Sequence, residues 1–178
     1  MLRITLIMVF CLVIAGCSSN TKTIQTHPAE DEGLTLNQGR AVAADNHLEQ
    51  GKALYFKGKY AQAIKHLMRS ITNNYNSWES HYFLGLCQQK KERYDRSIGS
   101  FNNALKYCPP EKLIIAKITY NLGFSWEKEG YLHKAAEKYS LALKMNPDLA
   151  AAQLGTERIK SKTADSDKTQ ENKDEKAF

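Results

Sequence analysis

The sequence predicts an all-α fold, an α-solenoid of three helix–turn–helix repeats closed by a C-terminal capping helix. The first observation is internal similarity. In HLEQGKALYFKGKYAQAIKHLMRSI, HYFLGLCQQKKERYDRSIGSFNNAL and TYNLGFSWEKEGYLHKAAEKYSLAL, the glycines Gly51, Gly85 and Gly123 correspond. So do Ala63, Ser97 and Ala135, then Leu67, Phe101 and Tyr139, then Ser70, Ala104 and Ala142. The glycines are spaced by 34 and then 38 residues. The second observation is periodicity: apolar residues recur at three- and four-residue intervals, as amphipathic helices require. The third is punctuation. Gly58 and Gly130 stand where paired helices must reverse direction, and Pro109 and Pro147 where the second helix must stop.

The chain opens differently. Met1, Leu2 and Arg3 carry one positive charge, and Ile4 through Gly16 is apolar apart from Thr5. A membrane-spanning helix needs about 20 apolar residues, so this run is too short. Residues 1–16 read as a secretory signal peptide. Ile14-Ala15-Gly16-Cys17 resembles the lipobox of bacterial lipoproteins. That resemblance implies cleavage before Cys17, a diacylglycerol thioether on its sulfur and an acyl chain on its new N-terminus. An ordinary signal peptide cut nearby, or an uncleaved anchor, is the alternative. Ser18 after the cysteine implies outer-membrane sorting in a Gram-negative envelope, with the domain facing the periplasm.

Residues 17–40 are polar, contain Pro28 and Gly33 and show little periodicity. They read as a lipidated cysteine followed by a flexible tether, with a reach of about 25 Å for some 20 residues. Residues 41–161 hold the repeats, at about 44–77, 78–111 and 116–149. The four extra residues before the third are close to one helical turn of about 3.6, so its first helix is expected to be longer. Residues 148–161 form the cap: Leu149, Ala152 and Ile159 cover the last repeat, and Glu157, Arg158 and Lys160 face water. Residues 162–178 have mixed charge and no apolar run, and read as disordered.

The repeat positions resemble the tetratricopeptide repeat (TPR). The second unit supplies Leu84, Gly85, Tyr94, Phe101, Ala104 and Pro109, and the third Leu122, Gly123, Gly130, Ala135, Tyr139, Ala142 and Pro147. The first supplies Gly51, Gly58, Tyr60, Ala63 and Leu67, and departs from the pattern at Gln50 and Tyr75. In that family the first helices line a concave groove that holds a peptide. The matching positions here are Leu48, Lys52, Tyr55, Phe56, Tyr82, Leu86, Gln89, Tyr120, Phe124 and Glu127. Leu48 and Lys52 stand where carboxylate-clamping members carry Lys and Asn, so binding to chaperone tails is not implied. With its lipobox, the chain looks like the TPR lipoproteins that support type IV pilus, secretin or outer-membrane barrel assembly.

The 178 residues carry a net charge of +6, which falls to +5 once Arg3 leaves with the signal. Export excludes cytosolic functions and argues against nucleic acid as the partner. Lys57, Lys59, Lys90, Lys91 and Arg93 all fall near the helix-to-helix turns, making a basic edge suited to an anionic partner such as a cell-wall polymer. No nucleophile–base constellation, GxSxG or phosphate loop is present, so no enzyme, small-molecule substrate or cofactor is expected beyond the lipid on Cys17. No HxxxH or CxxC spacing supports a metal, and His47 and His81 share a repeat position where packing is expected. Cys87 and Cys108 are placed too far apart to bridge, leaving two free thiols with Cys87 buried. The expected role is a tethered adaptor that grips another envelope protein, with a peptidoglycan-associated factor acting through the basic edge as the alternative.

Overall fold

The computed structural model describes residues 29–175, with side chains from 35 to 164. Residues 1–28, where a signal segment and a lipidated Cys17 are expected, lie outside the described residues, as do 176–178. Among the described residues seven helices follow one another: α1 (Ala29–Phe56), α2 (Tyr60–Asn73), α3 (Trp78–Lys90), α4 (Tyr94–Tyr107), α5 (Lys112–Lys128), α6 (Leu132–Met145) and α7 (Ala150–Glu175). No strand occurs among the described residues. The pairs α1–α2, α3–α4 and α5–α6 pack most closely, and each pair stacks on the next. Among the first helices α1 touches α3 and α3 touches α5, which places them along one face.

The turn within each pair has one construction. The N–H of Lys59, Arg93 and Tyr131 donates to the carbonyl of Leu54, Gln88 and Trp126, each at 2.9 Å. This contact satisfies a carbonyl that the helix end would otherwise leave without a partner. It requires a left-handed residue just before: Gly58 at φ 71°, Gly130 at φ 85° and, in the middle repeat, Glu92 at φ 56°.

Packing within each pair follows from the repeated glycine. A Cβ placed on Gly85 would lie 2.6 Å from Cε1 of Phe101, and one on Gly123 would lie 3.0 Å from Cδ1 of Tyr139. The large side chain of the second helix fills the space that a glycine leaves on the first. Leu67, Phe101 and Tyr139 are fully buried as a result. Three apolar clusters follow in sequence: around Leu67 and Leu84, around Phe101 and Leu122, and around Tyr139 and Ile159. Fully burying one such side chain stabilises by about 1.5–3 kcal/mol. Hydrogen-bonded serines stitch the stack between these clusters: Ser70 to Ser80 at 2.8 Å and Ser97 to Ser125 at 2.7 Å.

Two stretches differ from the sequence expectation. Residues 29–40 are helical where a flexible tether is expected, and 162–175 are helical where disorder is expected. Both extend a helix that is already docked. Extension costs little once a helix is nucleated, because each added residue gains a hydrogen bond. On α1 the anchor is buried Ala44, whose carbonyl accepts from Ser70 Oγ at 2.8 Å. On α7 the anchor reaches as far as Lys162, whose Nζ lies 2.9 Å from Glu127 Oε1. As the four extra residues imply, α5 has 17 residues against 13 in α3. Cys87 is buried and Cys108 half-buried, and both are free.

Candidate protein-binding groove

The face formed by α1, α3 and α5 carries two neighbouring clefts. The first, of about 210 Å³, is lined by Tyr55, Leu86, Gln89, Lys90, Tyr120, Asn121 and Phe124. Five of the residues assigned to a groove from sequence, Tyr55, Leu86, Gln89, Tyr120 and Phe124, therefore meet around one space. The second, of about 190 Å³, is lined by Trp78, Tyr82, Phe83, Ile114, Lys117 and Ile118. Tyr82 is the sequence-assigned member there. Asn121 Nδ2 lies 3.4 Å from the Tyr82 hydroxyl, so these two side chains join the clefts across the α3–α5 seam.

Aromatic rings make this surface nearly continuous. Tyr55, Phe56 and Phe83 meet edge to face with centroids 5.4–6.1 Å apart, and Tyr82 meets Phe83 at 5.6 Å. Phe56 is 74% exposed. Lys52 Nζ is held by Glu49 at 2.7 Å and stands 5.8 Å from the Phe83 ring centre. The hydrogen bond to Glu49 raises the Lys52 pKa, so its ammonium stays charged. Burial raises the pKa of the Tyr55, Tyr82 and Tyr120 hydroxyls, keeping them neutral. The face is thus aromatic and neutral in its centre, with Lys52, Lys90 and Lys117 around it. Such a surface can desolvate apolar side chains and pair with a carboxylate nearby.

Two residues assigned to the groove do not line it. Leu48 is 6% exposed and belongs to the core between α1, α2 and α3. The helical turn that carries it points inward, because Ala44, Leu48 and Gly51 share one side of α1. Glu127 is also buried, turned toward α6 and α7, where Tyr139, Arg158 and Lys162 hold its carboxylate. Gln89 lines the cleft, but its amide donates to Asn121 O and Ser125 Oγ, each at 2.8 Å. It shapes the floor rather than offering a free donor.

The sequence reading missed Trp78, Phe83, Ile114, Lys117, Ile118 and Asn121. A signal existed for Trp78, which stands four residues before Tyr82 and so on the same side of α3. Ile114 lies in the added turn of α5, whose facing partner the sequence does not reveal.

All five residues of the basic edge are exposed. Lys59 and Lys91 share a shallow depression of about 310 Å³ with Gly58, Tyr60, Ala61 and Gln62, whereas Lys90 turns into the first groove cleft. Among the described residues none of the five forms an ion pair.

No protein-family model matches the chain. A human relative, protein O-mannosyl-transferase TMTC1, is 25% identical over 139 residues, which is 74% of this chain. The chain spans 16% of that relative's length. Among solved structures, the TPR domain of Arabidopsis OM64 matches 68% of this chain and 98% of its own, with a TM-score of 0.64 and 16% identity. The first TPR of Spaghetti (RPAP3), bound to an HSP90 peptide, matches 70% and 95% with a TM-score of 0.64 and 16% identity. The Yersinia enterocolitica type III secretion chaperone SycD, in complex with a peptide of the translocator YopD, matches 67% and 93%, with a TM-score of 0.60 and 19% identity. The architecture of this chain is the all-α helical-repeat solenoid of TPR domains.

Proposed function

We propose that the chain is a non-catalytic protein-interaction module whose α1–α3–α5 face grips a segment of another protein. The observation that carries this reading is the pair of adjoining clefts lined by aromatic side chains from those three helices. Two structural neighbours are seen with peptides bound, which supports the same use of the fold. The lipobox-like Ile14-Ala15-Gly16-Cys17 supports a finer reading. In it, the mature chain is anchored by lipid on Cys17, faces the periplasm from the outer membrane and serves assembly of an envelope complex. Two or three acyl chains suffice for stable anchoring. The test has two arms. Cys17→Ser should release the protein from membranes, and unchanged fractionation contradicts the anchor. Lys90→Glu with Phe124→Ala should lower partner recovery while the fold persists by circular dichroism, and undiminished recovery contradicts the groove.

A second reading, direct contact with cell wall through Lys57, Lys59, Lys90, Lys91 and Arg93, is supported by the exposure of all five, by the absence of an ion pair to any of them among the described residues and by the depression that Lys59 and Lys91 share. Co-sedimentation with purified peptidoglycan that falls with salt supports it; absent or salt-insensitive sedimentation counts against it.

A further inference from the structure

The antiparallel packing of α1 and α2 brings together two histidines that stand 19 positions apart in the chain. The rings of His47 and His66 have centroids 5.5 Å apart and are tilted by 57°. Nδ1 of each ring is buried and has no hydrogen-bond partner. Native structures rarely leave such atoms without one, and two of them on neighbouring rings call for an explanation. Both rings are half-buried, so their outer edges remain near water.

We propose that His47 and His66 form a two-histidine site for a divalent first-row transition ion, Zn²⁺ or Cu²⁺, which clips α1 to α2. Distance supports it. A ligating imidazole nitrogen sits about 2.0–2.1 Å from zinc, so two rings at the tetrahedral angle place their centroids about 5.2 Å apart. The observed separation of 5.5 Å is compatible with that. Burial, the neighbouring His47 and the Arg69 guanidinium all disfavour a charged His66 ring. Imidazole nitrogen is a favoured donor for both ions. Both Nδ1 atoms are enclosed, so a side-chain rotation must open the remaining positions to water, and the positive charge of Arg69 opposes the ion, so binding is expected to be moderate and exchangeable. The spacing of the two histidines matches no sequence motif for metal, which is why only the fold reveals them.

The test uses the folded protein without a polyhistidine tag, titrated with ZnCl₂ or CuCl₂. Free Zn²⁺ about five-fold above its Kd should raise Tm by about 2–8 °C. His47→Gln and His66→Gln should each abolish the rise, and His133→Gln should keep it. The Cu²⁺ electron paramagnetic resonance spectrum of the unmutated protein should show two coupled imidazole nitrogens, a readout that needs no variant. An equal rise in the His66→Gln protein, no rise in the parent, or a spectrum with one nitrogen or none would overturn the site.

Discussion

Arg158 on α7 holds Glu127 on α5 through two contacts, Nη2 to Oε2 at 2.8 Å and Nε to Oε1 at 3.2 Å. Lys162 and the Tyr139 hydroxyl complete the set at 2.9 Å and 2.7 Å. The side chain of Glu127 is 2% exposed, whereas Arg158 and Lys162 remain 43% and 49% exposed. Burial alone would raise the Glu127 pKa. The hydrogen bonds from Arg158, Lys162 and Tyr139 outweigh that and hold it down to about 2. The carboxylate therefore ties the cap to the third repeat.

Replacing Glu127 with Gln should destabilise the protein by about 1.5–3 kcal/mol at pH 7, the range for hydrogen bonds to a charged group. A carboxylate with a depressed folded pKa contributes its stability in full above the unfolded value near 4.5 and loses it as pH falls toward 2. The Tm gap between parent and Glu127→Gln should thus be widest near neutrality and shrink between pH 4.5 and 2. Thermal melts across that window check it; a constant gap contradicts the ion-pair account.

Gly155 gives a prediction against propensity. Glycine inside a helix ordinarily costs about 1 kcal/mol relative to alanine, so Gly155→Ala would be expected to stabilise α7. The structure reverses the sign. A Cβ at 155 would lie 2.7 Å from Cε2 and Cζ of Tyr139, a fully buried ring whose hydroxyl is fixed on Glu127. The ring cannot retreat, and overpacking of this kind costs about 1–3 kcal/mol. A lowered denaturation midpoint is the expected result.

Glu92 sits at φ 56° in the turn where the other two pairs carry Gly58 and Gly130. The left-handed conformation costs a residue with a Cβ about 1–2 kcal/mol, less the extra chain entropy that glycine loses on folding. Glu92→Gly should therefore stabilise by about 0.5–1 kcal/mol, visible as a rise in the urea midpoint, and Gly58→Ala or Gly130→Ala should lower it.

The two described thiols should differ in reactivity. Burial pushes the Cys87 thiol up to about 12, and the side chain is fully enclosed. Cys108 is half-buried, and its Sγ donates to Leu105 O at 3.4 Å. Alkylation at pH 8 followed by peptide mass spectrometry should label Cys108 first and Cys87 only under unfolding conditions. A bridge between them, or early labelling of Cys87, would contradict the packing.

Much of this was legible because the repeat writes the same physics three times. The glycine–aromatic pairs Gly85–Phe101 and Gly123–Tyr139 are the close approaches that self-similarity implies. Gly58 and Gly130 are read correctly as turns because their conformation is local. The groove was legible in part. Tyr55, Leu86, Tyr120 and Phe124 occupy repeat positions that face one way, but Leu48 and Glu127 occupy similar ones and turn inward. Which side of the stripe is buried depends on the neighbouring helix, and for Glu127 on cationic residues 31 and 35 positions later. The helical ends at 29–40 and 162–175 were not legible, since their composition lacks an apolar stripe and their order is inherited from docked segments.

The central claim is that the α1–α3–α5 face is the binding surface. Site-specific photo-crosslinking in intact cells tests it most directly, with the reactive residue placed at Phe56 or Lys117 on that face and at Gln62 or Asn102, exposed residues of α2 and α4. The account predicts discrete protein adducts from Phe56 and Lys117 that weaken in the Lys90→Glu, Phe124→Ala background, and none from Gln62 or Asn102. Adducts of equal yield from α2 and α4, or adducts at Phe56 and Lys117 that the groove substitutions leave unchanged, would contradict it.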